Sequence, residues 1–290
     1  MENLEQRLAM IRNDREHGSR WLVRETIKLL YDLANDTSIS PNETMQRLQI
    51  AAQQLIHARP AMAALAGAVN RILNVSDDPS AIAQAAQHLL DEYTHATEHI
   101  ATFARPLLRS TLMTHSLSGT VLDVLIACSS QIERVIALEG RPRYEGRETA
   151  RLLTKQGIAV TLITDAEADI FLPQCHAVIT GADTIFANGD ILNKAGTALI
   201  AWAAFGHHIP FYVLCETLKV APYTWSGDLT QLEEKEAEEV LEQPIQNVTV
   251  RNFYFDHTPA QLVTKLITEH GVLGQQEIAQ IAAELKHMKF

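Results

Sequence analysis

Three short segments bring several reactive side chains close together in this sequence. Gly181-Ala182-Asp183 closes an apolar run, Asn188-Gly189-Asp190 follows as a turn, and Asn193-Lys194-Ala195-Gly196-Thr197 then opens a helix. A carboxylate at a strand end, facing a helix N-terminus with Asn, Lys and free N–H groups, is a ready phosphate site, because helix N-termini concentrate partial positive charge. A plain turn with an N-cap would look similar, but the density of polar residues favours a site. Glu139-Gly140-Arg141-Pro142 follows another apolar run; Arg141 can fork onto a phosphate or pair with Glu139 or Glu145. His95-Ala96-Thr97-Glu98-His99 matches H-x-x-E-H, which sets two imidazoles one helical turn apart as metal ligation requires. No third ligand announces itself and so short a match is common by chance. Two exposed histidines on an amphipathic helix are the better reading, and no metal is expected. Walker and G-x-G-x-x-G loops are both missing from the sequence, so nucleotide hydrolysis and ordinary dinucleotide binding lose their main support.

The elements that must position these residues change character near Arg109. Before it the pattern is helical throughout: Val23, Ile27, Leu30 and Ala34 recur on one face, and Leu89, Tyr93, Ala96, Ile100 and Phe103 continue the spacing from Ile82. Asp36–Asn42 reads as a loop, and Arg59-Pro60 predicts a kink or a fresh helix start. After it, short apolar runs alternate with helices: Thr111–Thr114, Val135–Leu138, Ile158–Ile163, Ala177–Thr180 and Phe211–Leu214. The intervening helices include Glu145–Gln156, closed by Gly157, and Gly196–Phe205, closed by Gly206. Such alternation predicts an α/β chain, with a helical N-terminal domain (1–108) and a Rossmann-like parallel-sheet domain (109–290). Ligands of such sheets bind beyond the carboxyl ends of the strands. That rule selects His115–Gly119, Glu139–Arg143, Thr164-Asp165, Gly181–Asp183 and Cys215–Lys219. The acidic run Glu233–Glu239 reads as a solvated helix face.

At 290 residues, with 47% hydrophobic and 20% charged side chains, the chain has globular composition and length enough for a sizeable core. Its net charge of −11 argues against nucleic acid or an anionic membrane surface as partner, though not against a small anion gripped locally by a few cations. Cys128, Cys175 and Cys215 lie far apart without CxxC spacing, which fits a reducing compartment better than a disulfide framework or a zinc cage. The polar opening segment has no apolar core of a secretion signal, and no apolar run approaches the roughly 20 residues needed to span a bilayer. A cytoplasmic location is the expectation.

The segments together resemble the family that joins the alpha, beta and delta regulatory subunits of translation initiation factor 2B with methylthioribose-1-phosphate isomerase and ribose-1,5-bisphosphate isomerase. The resemblance rests on Met113-Thr114-His115-Ser116, on Glu139–Ala150 (EGRPRYEGRETA), on Ile179–Thr197 (ITGADTIFANGDILNKAGT) and on Pro210–Lys219 (PFYVLCETLK). Phe255–Gly271, Ala58-Arg59-Pro60-Ala61 and Asp14–Ser19 extend it over essentially the whole chain. It implies a homodimer, a phosphosugar pocket between a helical and a Rossmann-like domain, and aldose–ketose isomerisation without metal or organic cofactor. Asp183 falls on the family's catalytic aspartate, and Arg59, Arg141, Asn193, Lys194 and Lys219 fall on positions around the substrate. His115, Ser118, Gly119 and Glu139, at the strand ends, complete the expected binding set.

Ser116 stands where the isomerases carry a cysteine. A thiol titrates near pH ~8.5 and can supply thiolate, whereas an unassisted serine hydroxyl is too weak an acid to serve as a base at neutral pH. Cys128 is no substitute: about ten residues along the following helix, it would lie roughly 15 Å from the pocket. Arg15-Glu16-His17-Gly18-Ser19 also replaces the isomerases' Arg-Gly-Ala phosphate loop. Two readings share the pocket. One is an isomerase of a 1-phosphorylated pentose using Asp183 and Ser116, helped by His115 or a water. The other is a non-catalytic sensor of sugar phosphate or nucleotide monophosphate. A translation-factor-like regulatory subunit is a third reading.

Overall fold

The computed structural model describes residues 4–15 and 17–286. Five helices come first: α1 (Leu4–Asn13), α2 (Ser19–Ala34), α3 (Pro41–Ile56), α4 (Ala63–Leu73) and the long α5 (Pro79–Ala104). The helix-breaking Arg59-Pro60 falls between α3 and α4, as its missing N–H and fixed φ require. The stretch expected to be loop through Asn42 is shorter than that. Ser40 caps α3 by accepting from the Glu43 N–H, and Pro41 takes the first helical position, where its missing donor costs nothing.

A seven-stranded sheet follows, in the order β10-β9-β7-β4-β1-β2-β3. Its strands are β1 (Ser110–Thr114), β2 (Ile132–Leu138), β3 (Val160–Ile163), β4 (Ala177–Thr180), β7 (Phe211–Leu214), β9 (Lys265–Thr268) and β10 (Gly271–Leu273). All neighbours are parallel except the β9–β10 pair. Both faces are covered, so the strand interiors read as continuous apolar runs. Leu112, Val135 and Ile179 pack with the end of α5, α6 (Gly119–Ala127) and Leu153 of α7 (Glu145–Lys155). On the other face Met113, Ile136 and Val178 pack with α8 (Ala168–Phe171), α9 (Thr197–Gly206) and α10 (Gln275–Leu285). Gly157 ends α7 in the left-handed conformation, as expected. After α9 the left-handed residue is His208, two beyond Gly206, which is still helical.

A second sheet was not anticipated. The strands β5 (Thr184–Ile185), β6 (Ile191–Lys194) and β8 (Phe255–Thr258) form an antiparallel ribbon in the order β5-β6-β8. Asn193 and Lys194 therefore sit on a strand, not at the opening of a helix. The acidic run 233–239 is likewise no helix face. Glu234 bridges to Phe253, a single 3₁₀ turn spans Ala237–Glu239, and Glu233 is buried. Its acids are held largely by groups from distant segments: Arg59 on Glu233, Arg15 on Glu236 and Tyr254 on Glu239, with Lys235 of the run itself also on Glu233. Long-range pairing overrides the helical tendency of the local sequence.

The core of the helical half is not made of helices alone. Phe186, Leu192, Leu218, Leu232 and Phe255 from the second half belong to the same buried cluster as Leu22, Ile27, Leu55 and Ile72. Among the described residues no helix is long and apolar enough to cross a membrane.

Candidate functional site

The parallel strands reverse their order of travel at the neighbouring pair β1 and β4, and crevices of doubly wound sheets open at such a switch. His115 and Ser116 leave the end of β1, and Gly181-Ala182-Asp183 leaves the end of β4. Both flank a cavity of about 1040 Å³ roofed by the helical half. Nine Arg and Lys line it against four Asp and Glu, an inversion of the chain's overall −11 charge that suits a small anion.

Asp183 is fixed through its backbone. Its N–H donates to the Leu192 carbonyl (2.8 Å) and its carbonyl accepts from Ala63 N–H (3.2 Å), while Thr184 Oγ1 bonds both Ala63 N–H and the Ala61 carbonyl. The break at Arg59-Pro60 is thereby clamped beside the carboxylate. Burial pushes the Asp183 carboxyl up from its ordinary range, opposed by Lys219, Arg59 and the Ser19 hydroxyl at the start of α2. An acid tuned upward between two cations can both give and take a proton.

Lys219 lies below it, 2% exposed, with Nζ 3.3 Å from Glu216, also 2% exposed. Thr120 donates to the other Glu216 oxygen at 2.6 Å. Burial raises the Glu216 carboxyl, but Lys219 and the Thr120 hydroxyl outweigh it and hold it below the usual carboxylate range. Burial lowers Lys219, and Glu216 with Asp183 outweigh that, so the ammonium stays charged.

Ser116 holds a left-handed backbone (φ 66°), uncommon outside glycine, and its carbonyl accepts from Thr149 Oγ1 at 2.9 Å. His115 is buried, and its Nε2–H donates to the Ala195 carbonyl (2.8 Å), which leaves Nδ1 the unprotonated nitrogen, 4.0 Å from Asp165. Burial lowers its pKa, so it is neutral at pH 7. Ser118 caps α6 by accepting from the Val121 N–H (3.4 Å), and Gly119 meets the side chain of Arg20, which pairs with Asp123.

Of the residues singled out from sequence, Arg59, His115, Ser116, Ser118, Gly119, Asp183, Asn193, Lys194 and Lys219 all line the cavity. Glu139 and Arg141 do not. Glu139 pairs with Arg147, and Arg141 turns outward to the Tyr144 hydroxyl and the Val240 carbonyl. Arg143 lines the wall instead, bonded to the Tyr254 hydroxyl. The R-P-R spacing offered both arginines, and which one turned inward depends on the turn's backbone. Arg59 reaches the cavity already engaged, bidentate to Glu233 at 3.3 Å with Nη1 on the Asp14 carbonyl.

The N-terminus of α9 is filled from within the chain. The Asp256 carboxylate accepts from Gly196 N–H (2.7 Å) and Ala198 N–H (3.1 Å), which corrects the expectation of free donors there. Burial pushes that carboxyl up to about 6. Asp256 carries no local sequence signal; it arrives through the β6–β8 register, opposite Asn193. Sequence reasoning also passed over Glu145, the first residue of α7, whose Oε1 lies 2.8 Å from Lys194 Nζ in the cavity wall. The Glu16 of the first loop lies outside the described residues. His95 is exposed with Nδ1 on the Asp91 carbonyl, and no group of side chains among the described residues has the arrangement of a metal site.

Comparison with known proteins follows the same lines. The profile of the Initiation factor 2 subunit family matches residues 15–275. A ribose 1,5-bisphosphate isomerase of Archaeoglobus fulgidus is 32% identical over 284 residues, covering 94% of this chain and 90% of its own. A methylthioribose-1-phosphate isomerase of Anaeromyxobacter sp. is 36% identical over 258 residues, 82% of this chain and 77% of its own. Among solved structures, the translation initiation factor eIF-2B of Pyrococcus horikoshii superposes with a TM-score of 0.83 at 30% identity, covering 94% of this chain and 97% of that one.

Proposed function

The chain belongs to the Initiation factor 2 subunit family, and on that premise we propose that it binds a 1-phosphorylated pentose in the cavity between β1 and β4 and isomerises it to the ketose phosphate. The observation that carries this reading is Asp183, a carboxyl raised by burial and set between Lys219 and Arg59 in a cationic cavity. Relatives named as sugar-phosphate isomerases over nearly the full chain length support it.

The chemistry asks for a proton on the ring oxygen as the C1–O bond opens, and for removal of the C2 hydroxyl proton as the ketone forms. Protonated Asp183 donates first and accepts second, and so returns to its starting state. Lys194, Lys219, Arg59 and Arg143 surround the phosphate and the hydroxyls; an ion pair already made by a cation is exchanged, not lost, when phosphate replaces the carboxylate. Ser116 stands where the resemblance implies a cysteine, which favours the sensor as the second reading.

A thermal-shift screen against ribose 1,5-bisphosphate, methylthioribose 1-phosphate, hexose phosphates and nucleoside monophosphates tests the proposal. A ligand at 100 times its Kd should stabilise the chain by about 2.7 kcal/mol. Phosphorus NMR on each hit should show a new ketose phosphate. Binding with unchanged ligand would replace the isomerase with the sensor, and no shift from any of them would remove both.

The homodimer belongs to the same reading. Leu199, Trp202 and Phe205 of α9 and Ile170 of the adjacent α8 are exposed large apolar side chains, a patch that a second copy would cover. Light scattering should give twice the 32.2 kDa chain mass; a monomer at micromolar concentration would refute it.

A further inference from the structure

If the chain is an isomerase, as proposed above, one step still lacks a residue. A proton bound to carbon must leave C2 and arrive at C1, and the Ser116 hydroxyl is too weak an acid to supply the base. We propose that Glu145 carries this proton. Glu145 lines the same cavity, and its two oxygens are unequally engaged. Oε1 contacts the buried Lys194 ammonium at 2.8 Å, whereas Oε2 is buried without any hydrogen-bond partner. Lys194 Nζ likewise makes no well-aligned hydrogen bond, although it lies over the Tyr254 ring at 4.3 Å. Buried polar atoms are nearly always satisfied, so an unpartnered carboxylate oxygen beside an incompletely bonded ammonium is open to completion by something that binds.

The placement suits the role. Glu145 opens α7, and Thr149, one turn later on the same face, bonds the Ser116 carbonyl. That bond ties α7 to the Ser116 turn, while Lys194 is on β6, two residues from the Leu192 carbonyl that bonds Asp183. The two carboxyl groups share one cavity and are anchored on different elements. Gly140, just after β2, holds a left-handed backbone (φ 75°) with Glu145 Oε2 beside it.

The step balances within the substrate. Glu145 removes the C2 proton, and the electron pair of that bond forms C1=C2 as the ring C1–O bond breaks, with the ring oxygen protonated by Asp183. The resulting enol phosphate regains a proton at C1 from Glu145, while Asp183 takes the C2 hydroxyl proton and the ketone forms. The phosphate stays on C1, and no oxidant or reductant enters. Carboxylates also serve as the base of carbon-to-carbon proton transfer in known isomerases.

The test uses the substrate found in the screen and four chains: native, Glu145→Gln, Glu145→Asp and Ser116→Ala. Glu145→Gln keeps an oxygen for Lys194 but loses the base, so turnover should fall by at least about 100-fold with the ligand-induced thermal shift retained. Glu145→Asp should keep measurable turnover, and Ser116→Ala should lose less turnover than Glu145→Gln. An active native chain with an equally active Glu145→Gln chain overturns the role of Glu145 alone, as does a Ser116→Ala chain as impaired as Glu145→Gln. A native chain that binds but turns over nothing overturns the isomerase reading and this role with it.

Discussion

Replacing Asp183 by asparagine is expected to lower turnover by about 10³-fold while leaving ligand affinity within a few-fold of native. The asymmetry follows from what the side chain does in each state. Lys219, Arg59 and Lys194 remain to hold the anion, and the Asp183 backbone bonds to Leu192 and Ala63 do not involve its carboxyl. Asparagine is nearly isosteric and still accepts from the Ser19 hydroxyl, but it cannot give a proton to a ring oxygen. Steady-state kinetics with the screened substrate, read as kcat against KM, check this. A loss confined to KM would make Asp183 a binding residue, and unchanged kcat/KM would remove it from the mechanism.

The largest effect on stability is expected at Lys219. Its removal in Lys219→Ala leaves the Glu216 carboxylate buried without its cation, a change that typically costs about 3–5 kcal/mol. Thr120 alone cannot compensate, since a single neutral donor replaces a full charge. Neutralising the partner as well, in Lys219→Met with Glu216→Gln, should recover most of the loss, because the buried charge is then gone. Urea unfolding of the three chains measures both quantities. Equal stability of Lys219→Ala and native would show that water reaches Glu216 and that the pair is not desolvated. Ligand affinity should drop in both variants, since the anion loses a cation either way.

Much of the sheet was legible in advance because burial on both faces writes strands as unbroken apolar runs: Ala177–Thr180 and Phe211–Leu214 were placed to the residue. The rule that ligands gather beyond parallel strand ends points to His115, Ser116 and Asp183 from the sequence alone, and all three line the cavity. Where reading failed, the cause was pairing between residues distant in sequence. Asn193 and Lys194 look like a helix opening until β8 pairs with β6, and the same pairing brings Asp256 onto the N–H groups that seemed free for phosphate. Glu233 belongs to a run whose local chemistry is that of a solvated surface, yet Arg59 draws it into the protein from 174 positions away. Arg141 and Arg143 differ by two residues in an irregular turn, where no periodicity tells inward from outward. Ser116 was legible, and Glu145, proposed to act in its stead, was not, because it enters the cavity from a helix whose first turn looked like ordinary capping acid.

The clamp between the helical half and the Asp183 turn bears on which substitutions inheritance can tolerate. Ala61 and Ala63 give their backbone groups to Thr184, and Gly67 of α4 lies so close to the Leu218 carbonyl that no side chain fits between them. These are small, chemically inert residues in the half that carries no acid or base of the reaction. Drift at any of them displaces the backbone on either side of Asp183 and Lys219 before it empties any core. Such positions should diverge slowly and together with the cavity, as though they were part of it, while the exposed faces of the same helices are free to change.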